Sequence, residues 1–364
     1  MSTIKPLIFD SPTNIPHLLI LSTLTSQPII LTSIRPTPSS PGLAPHEVSL
    51  LHLLSELTGS KIQISPSGTR VSFTPGLIVG GSANLTLPRE NTRGASYFIL
   101  PILTLSPFAQ KKIELTLTGE GVIPGATARD ISVETLRGAI LPYLRPLGVE
   151  RNITLRTGRQ EVVMTMGNQV QMPKTLHLLH AGKIKRVRGT AYSTGVPVSM
   201  NARVIDGVKG MLAQFGTDVY ILSDTNGRGE RGFGVSVTAE TTGGCFYSAD
   251  EIAPRRGGVA AEEIGRKAAL QLLEVVEQGG CVPLTAAPTV LLLMVFGGKD
   301  VGRVTLGRDV VGSETVVNLA RSVRKLGLSG WGLREASESE SGGDDAVVVS
   351  VVGAGIGNVG RKVA

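Results

Sequence analysis

Four times along the chain an amphipathic helical pattern runs into a glycine and then into a strand pattern. "HEVSLLHLLSELTGSKIQIS" does so through Gly59 and "VETLRGAILPYLRPLGVERNITL" through Gly148. "SMNARVIDGVKGMLAQFGTDVYIL" does so through Gly216, and "ETVVNLARSVRKLGLSGWGLRE" through Gly327. In the first of these, Leu50, Leu53, Leu54 and Leu57 fall at i, i+3, i+4 and i+7, one stripe of a helix. "AAEEIGRKAALQLLEVVEQGG" is a further helix ending in glycines. Helices and strands alternating at these lengths predict an α/β (α+β) fold with helices layered on sheets. The units share almost no residues, so the repeat is one of architecture and not of sequence.

A chain of 364 residues fits two domains, or one large domain with an insertion. Aromatic residues are only 4%, so core volume must come from Leu, Val and Ile, and platforms for stacking bases are few. The formal net charge of +7 favours an anionic partner, with nucleic acid the leading class. Cys245 and Cys281 cannot build a four-ligand zinc site or a disulfide framework, which fits a reducing compartment. "MSTIKPLIFD" lacks the apolar core of a secretory signal. The longest apolar run, "TVLLLMVF", is too short to span a bilayer and reads as a buried strand, so no membrane partner is expected.

Three stretches carry candidate binding residues. "KIKRVRG" packs Lys183, Lys185, Arg186 and Arg188 together. On a strand the lysines would share one face and the arginines the other. It reads either as an edge strand protected by charge or as an edge that contacts phosphates. In "LARSVRKLG", Arg321, Arg324 and Lys325 form a basic stripe opposite Val316, Leu319 and Val323, either a solvated face or a contact for RNA or an acidic partner. Arg35 opens a loop held by Pro36, Pro38, Pro41 and Gly42 ahead of the leucine-rich helix. Three further stretches read as flexible surface: "SDTNGRGERGFG", "SADEIAPRRGG" and the acidic "SESESGGDD".

Other chemistry is thin. Gly355, Gly357 and Gly360 spell a dinucleotide fingerprint after a strand, but four residues remain and no helix can follow, so a terminal loop is the reading. His177 and His180 could share a helical face, yet no Cys, Asp or Glu with ligand spacing surrounds them. There is no nucleophile elbow and no Walker loop. Neither a cofactor nor a metal is expected.

Longer stretches, taken in order, carry a resemblance. "TLTSQPIILTSIR", "PGLAPHEVSLLHLLSEL", "FTPGLIVGG" and "FILPILTLSPFAQKKIELTLTG" resemble the RNA 3'-terminal phosphate cyclase superfamily. So do "RGTAYSTGVPVSMNARVIDGVKGML", "GFGVSVTAETTGGCFYSADEIA" and "GRKAALQLLEVV". "YSTGV" and "HEVSLLHLL" are closest to its cyclase-like branch. The resemblance implies a main body of repeated two-helix, four-stranded-sheet units over residues 1–182 and 279–364. It implies a smaller α/β domain inserted at 183–278.

The departures bear on activity. Active members of the superfamily carry AMP on a histidine in a His-x-x-Thr-Asn type segment. The matching "GSETVVNLARSV" holds Glu314 and Thr315, and no histidine lies beyond His180. An imidazole nitrogen is the group that forms the phosphoramidate, and a Glu or Thr is no simple substitute. The family's Gly-Gly-Gly-Gln-Ile-Leu-Arg type turn is "SPTNIPHLL" here, with Pro16 near the Arg position. Its Gln-His pair at a helix start reads as His46 and Glu47, and its Gly-Gly-Gly-Glu-Val segment survives as "TGRQEV" with Glu161. Glu47 suits the helix dipole but would repel a phosphate.

The resemblance therefore implies a protein without cyclase activity that acts in the nucleolus, in early pre-rRNA processing for the small (40S) subunit. It implies a ribosome-assembly GTPase as partner, within a pre-ribosomal particle in which this chain is monomeric and the basic strand and stripe make contacts. The rival reading is an endoribonuclease with Arg321 and Lys325 as phosphate cations, for which the sequence offers no evident base. An active cyclase with an unorthodox nucleophile is the remote alternative.

Overall fold

A computed structural model describes residues 4–37, 41–149, 153–158, 160–167, 172–213, 216, 218–226, 232–254, 256–337 and 345–355. Gly357 and Gly360 of the glycine fingerprint and residues 338–344 of the acidic stretch lie outside the described residues.

One unit is built three times. The first runs β1 (Leu7–Asp10), α1 (Ile15–Thr25), β2 (Ile29–Thr32), α2 (Pro45–Thr58), β3 (Lys61–Ile64) and β4 (Val71–Thr74). Its sheet has the order β1-β2-β4-β3. β1 and β2 are parallel and the other pairs antiparallel. A parallel neighbour needs a crossover and an antiparallel one only a hairpin, so α1 separates β1 from β2 while β3 and β4 follow directly.

The second unit repeats this with β5 (Gly81–Thr86), α3 (Ala95–Leu105), β6 (Ile113–Thr118), α4 (Val133–Thr135), β7 (Ile153–Gly158) and β8 (Glu161–Met166). The sheet order is again first, second, fourth, third. Its second helix is irregular: α4 runs into a π-helical turn at Leu136–Ile140 and a 3-10 turn at Leu141–Leu144. Pro142 has no N–H for an i→i−4 bond, and Gly138 weakens the helix interior, so a regular helix cannot persist there.

The third unit opens with β9 (His177–Leu178) and is then interrupted. Residues 184–277 form a sheet of their own from β10 (Ile184–Thr194), β11 (Asp218–Asn226), β12 (Gly232–Thr241) and β13 (Phe246–Ile252), in the order β11-β10-β12-β13. Helices α5 (Ser199–Leu212) and α6 (Ala261–Glu277) pack on one face of it. Val187, Ala191, Val235 and Val237 point to that face and are buried. The third unit resumes with α7 (Ala287–Val295), β14 (Val301–Gly307), α8 (Arg308–Gly312), α9 (Glu314–Lys325), β15 (Gly332–Glu335) and β16 (Ala346–Val352). Its sheet reads β9-β14-β16-β15, the same order once more.

Helix α3 packs against α1 and α7, and all three are almost wholly buried. Four expectations change here. "TVLLLMVF" is α7 and not a strand: a helix covered on every side shows no polar face and hence no 3.6 period, and Pro288 in its first turn is the start signal. "SADEI" is the body of β13 and not flexible surface, since Asp250 anchors it to the Ser132 N–H and hydroxyl at 2.9 and 2.7 Å. β11 and β12 likewise extend through Asn226 and from Gly232 into the glycine-rich stretch, leaving 227–231 outside the described residues. His177 lies on strand β9 and His180 beyond it, so no helix places them together. No described helix is long and apolar enough to cross a membrane.

Candidate interaction site

The stripe on α9 meets the first turn of the chain. β1 ends at Asp10, Ser11 takes a positive φ of 46°, and Pro16 sits in the opening turn of α1. This short connection faces α9, whose N-cap Ser313 accepts from the Val316 N–H and whose last turn carries Arg324 and Lys325, as the dipole favours. Val316, Leu319 and Val323 are buried, as the stripe requires. Asn318 Nδ2 donates to Thr13 Oγ1 at 3.0 Å. Lys325 Nζ donates to the Ile8 carbonyl at 2.5 Å and stands 4.4 Å above the Phe9 ring. Between the two elements lies an open cavity of about 190 Å³ lined by Asp10, Thr13, His17, Asn318, Arg321 and Lys325, among others.

The electrostatics of this cavity are set locally. Hydroxyls of Ser33 and Thr32 hold the Asp10 carboxyl below its usual range. Burial pushes the His17 imidazole down to about 4, and its Nδ1 is shut away from solvent with no hydrogen-bond partner among the described residues. Arg321 and Arg324 are exposed and form no ion pair with any described residue. Arg321 and Lys325 therefore share one cavity; Arg324 does not line it.

Arg35 lies elsewhere. Its Nη1 donates to Glu47 Oε1 at 3.1 Å, its Nη2 to Glu47 Oε2, and its Nε to the Gly42 carbonyl at 2.8 Å. Neighbouring His46 packs edge-on to Tyr97 at 5.2 Å, and Arg93 Nη1 lies 3.5 Å from His46 Nε2. Arg93 stacks 3.9 Å over Tyr97 and pairs with Asp130 at 2.8 and 2.6 Å. Burial first, then the Arg93 charge, lowers the His46 pKa. Arg93 and Asp130 are 37 residues apart, and no local pattern links them.

Both readings of the basic strand put it at a sheet edge, and the sheet order corrects that position. β10 is interior, between β11 and β12, so it is not an edge. A bulge between Ile184 and Arg186 breaks the alternation of faces. Lys185 and Arg186 consequently reach the same carboxylate, Glu240, at 3.9 and 2.5 Å. Arg188 pairs with Asp218 at 2.6 Å, which holds that carboxyl low. Lys183 precedes the strand, where its backbone N–H donates to Thr242 Oγ1 at 3.1 Å. Among the described residues no three His, Cys, Asp or Glu side chains gather as metal ligands.

Comparison with known proteins shows what the chain is similar to. The family model described as RNA 3'-terminal phosphate cyclase (RTC), insert domain, matches residues 179–277. The RNA 3'-terminal phosphate cyclase-like protein of Homo sapiens is 33% identical over 360 residues, covering 94% of each chain. The probable RNA 3'-terminal phosphate cyclase-like protein of Dictyostelium discoideum is 33% identical over 329 residues, 82% of this chain and 86% of its own. The rRNA processing protein RCL1 of Saccharomyces cerevisiae is 31% identical over 371 residues, 98% of this chain and 97% of its own.

Proposed function

The chain belongs to the RNA 3'-terminal phosphate cyclase superfamily, on its cyclase-like branch, and on that premise we propose that it acts in ribosomal RNA processing as a non-catalytic assembly factor. Relatives named for rRNA processing cover nearly the whole chain, which supports the process. In this reading the protein works in the nucleolus, on early pre-rRNA for the small 40S subunit. It is held by a ribosome-assembly GTPase in the small-subunit processome, a pre-ribosomal particle that contains pre-rRNA.

One observation carries the non-catalytic part. At the head of α9, where the family resemblance implies an AMP-carrying histidine, Glu314 and Thr315 follow the cap Ser313. A carboxylate there complements the helix dipole but repels a nucleotide phosphate and forms no phosphoramidate. What remains is an exposed cationic face, with Arg321 at a cavity suited to an acidic or phosphate-bearing segment. The test has two parts. Incubation of the pure protein with α-labelled ATP is expected to leave no covalent label, and a stable adenylate overturns the non-catalytic reading. Crosslinking in cells followed by stringent purification is expected to recover precursor rRNA and an assembly GTPase; recovery of scattered RNA 3' ends instead points to repair chemistry.

A second reading, a metal-free endoribonuclease, is favoured by one fact: His17 lines the same cavity as Arg321 and Lys325. A neutral imidazole beside two cations is the minimum for attack by a 2'-hydroxyl. Site-specific cleavage of a short precursor that is lost in both His17→Gln and Arg321→Ala would establish it.

A further inference from the structure

The inserted sheet has two faces, and only part of one is open. Its inner face carries α5 and α6. On the outer face, the irregular segment 133–144 covers the β12–β13 half. Thr135 Oγ1 lies 2.9 Å from Ser236 Oγ and donates to Asp250 at 2.9 Å, and Tyr143 takes the Phe246 N–H at 2.9 Å. Gly138 comes so near that a Cβ on it would stand 3.0 Å from Thr238 Oγ1. On the β10–β11 half, Thr190 donates to Glu134 at 3.4 Å and the Tyr192 hydroxyl is buried beside Gly125, while Arg186, Arg188, Tyr220 and Leu222 stay open. A groove of about 330 Å³ runs along the boundary.

The lining of this groove is rich in arginine and includes Leu222, and Tyr220 stands just outside it on β11, next to Arg188. Arg186 and Arg188 stand on its sheet side, and Arg137 and Arg145 on its helical side. Tyr220 is 57% exposed and Leu222 54% exposed, on the same face, beside Arg188 and Thr190 in register. Arg188 lies 6.0 Å from the Tyr220 ring centre. Large apolar side chains this exposed on a flat sheet are a platform, not a core. Three carboxylates, Glu134, Glu240 and Asp218, pair with Arg137, Arg186 and Arg188. Arg186, Arg188 and Asp218 are open to water, so these pairs are weak and exchangeable. Each guanidinium has five donors and uses only some of them in its pair.

We propose that this groove binds single-stranded RNA, with phosphates held by Arg186, Arg188 and Arg137 and bases laid against Tyr220 and Leu222. Guanidiniums beside an exposed ring and aliphatic floor match a backbone with unstacked bases. An acidic peptide would use the charges but leave the platform idle, and a duplex hides its base faces. The choice of RNA rests on the rRNA-processing reading; the site itself rests on the groove.

The test is fluorescence anisotropy on the full chain with an oligonucleotide of about ten uridines. A duplex of equal length and a glutamate-rich peptide serve as the competing probes. The single strand is expected to bind with salt dependence and in preference to both others. Tyr220→Ala is expected to weaken it by roughly 5- to 150-fold. Arg188→Ala should weaken it several-fold and reduce the salt slope by about 0.7. Both side chains are exposed, and unchanged melting temperatures will show that both variants fold. No binding, binding unaltered by both variants, or preference for the peptide overturns the proposal. Rescue of pre-rRNA processing in cells depleted of the endogenous relative reports on the function separately. A chain that rescues but binds no single strand refutes the groove alone, and a chain that binds but does not rescue refutes the processing role alone.

Discussion

Arg35 and Glu47 close on each other across the loop before α2, with Arg35 Nη1 donating to Glu47 Oε1 at 3.1 Å. Glu47 Oε2 also accepts from the Ala44 N–H at 2.7 Å, one half of a capping box. The cation offered by the sequence is thus neutralised by the first turn of the helix it precedes. Glu47 is nearly buried and Arg35 is not, so the cap is the larger part. Glu47→Ala is expected to cost about 2 kcal/mol, measured by urea unfolding, while Glu47→Gln keeps the cap bond and loses less than half of that. Equal losses from the two variants would mean that the ion pair, not the cap, dominates.

Tyr143 ties three segments together. Its hydroxyl donates to the Cys281 carbonyl at 2.7 Å and accepts from the Phe246 N–H at 2.9 Å, with the ring fully buried. Tyr143→Phe keeps the packing but orphans one buried donor and one acceptor. A loss of about 2 to 3 kcal/mol is expected. Hydrogen exchange should quicken first at the start of β13, where Phe246 sits; uniform quickening across all four sheets would contradict the assignment.

Legibility followed periodicity. The α2 stripe and its stop were readable because Leu50, Leu53, Leu54 and Leu57 face one core and Gly59 takes the left-handed turn at φ 62°. α7 was not, because burial on all sides erases the period. The bulge at Lys185 moved a cation to the other face without any local mark in "KIKRVRG". Asp250 looked like surface charge and is a docking group, since its partners Ser132 and Thr135 lie more than a hundred residues away. The cavity beside α9 was half legible. Arg321 and Lys325 stood out as a stripe, but His17 and Thr13 join them only through the third unit packing on the first.

His17 should make stability depend on pH. Its folded pKa is about 4 and its unfolded value 6.5. Between these the unfolded chain binds more protons, so stability is complete above about 6.5 and is lost as pH falls toward 4. The ring is partly exposed to the cavity, so the loss from pH 7 to about 5 should not exceed about 2 kcal/mol. His17→Gln should flatten this slope in thermal unfolding across the same range. A slope unchanged in the variant would assign the acid sensitivity to other groups.

Arg321 and Lys325 share a cavity but differ in what they already hold, and that difference separates folding from function. Lys325 donates to the Ile8 carbonyl and covers Phe9, so Lys325→Ala should cost about 1 kcal/mol by loosening α9 from β1. Arg321 has no ion-pair partner among the described residues, so Arg321→Glu should leave stability within about 0.5 kcal/mol. If this cavity receives an anionic segment of a partner, charge reversal at Arg321 turns attraction into repulsion while the fold is intact. Cells that rely on the Arg321→Glu protein should then accumulate unprocessed pre-rRNA and recover less partner on purification, despite normal protein levels. The Lys325→Ala defect, arising from a looser helix, should by contrast be relieved at lower temperature. Full processing with Arg321→Glu would remove the α9 cavity from the function and turn the question to the groove on the inserted sheet.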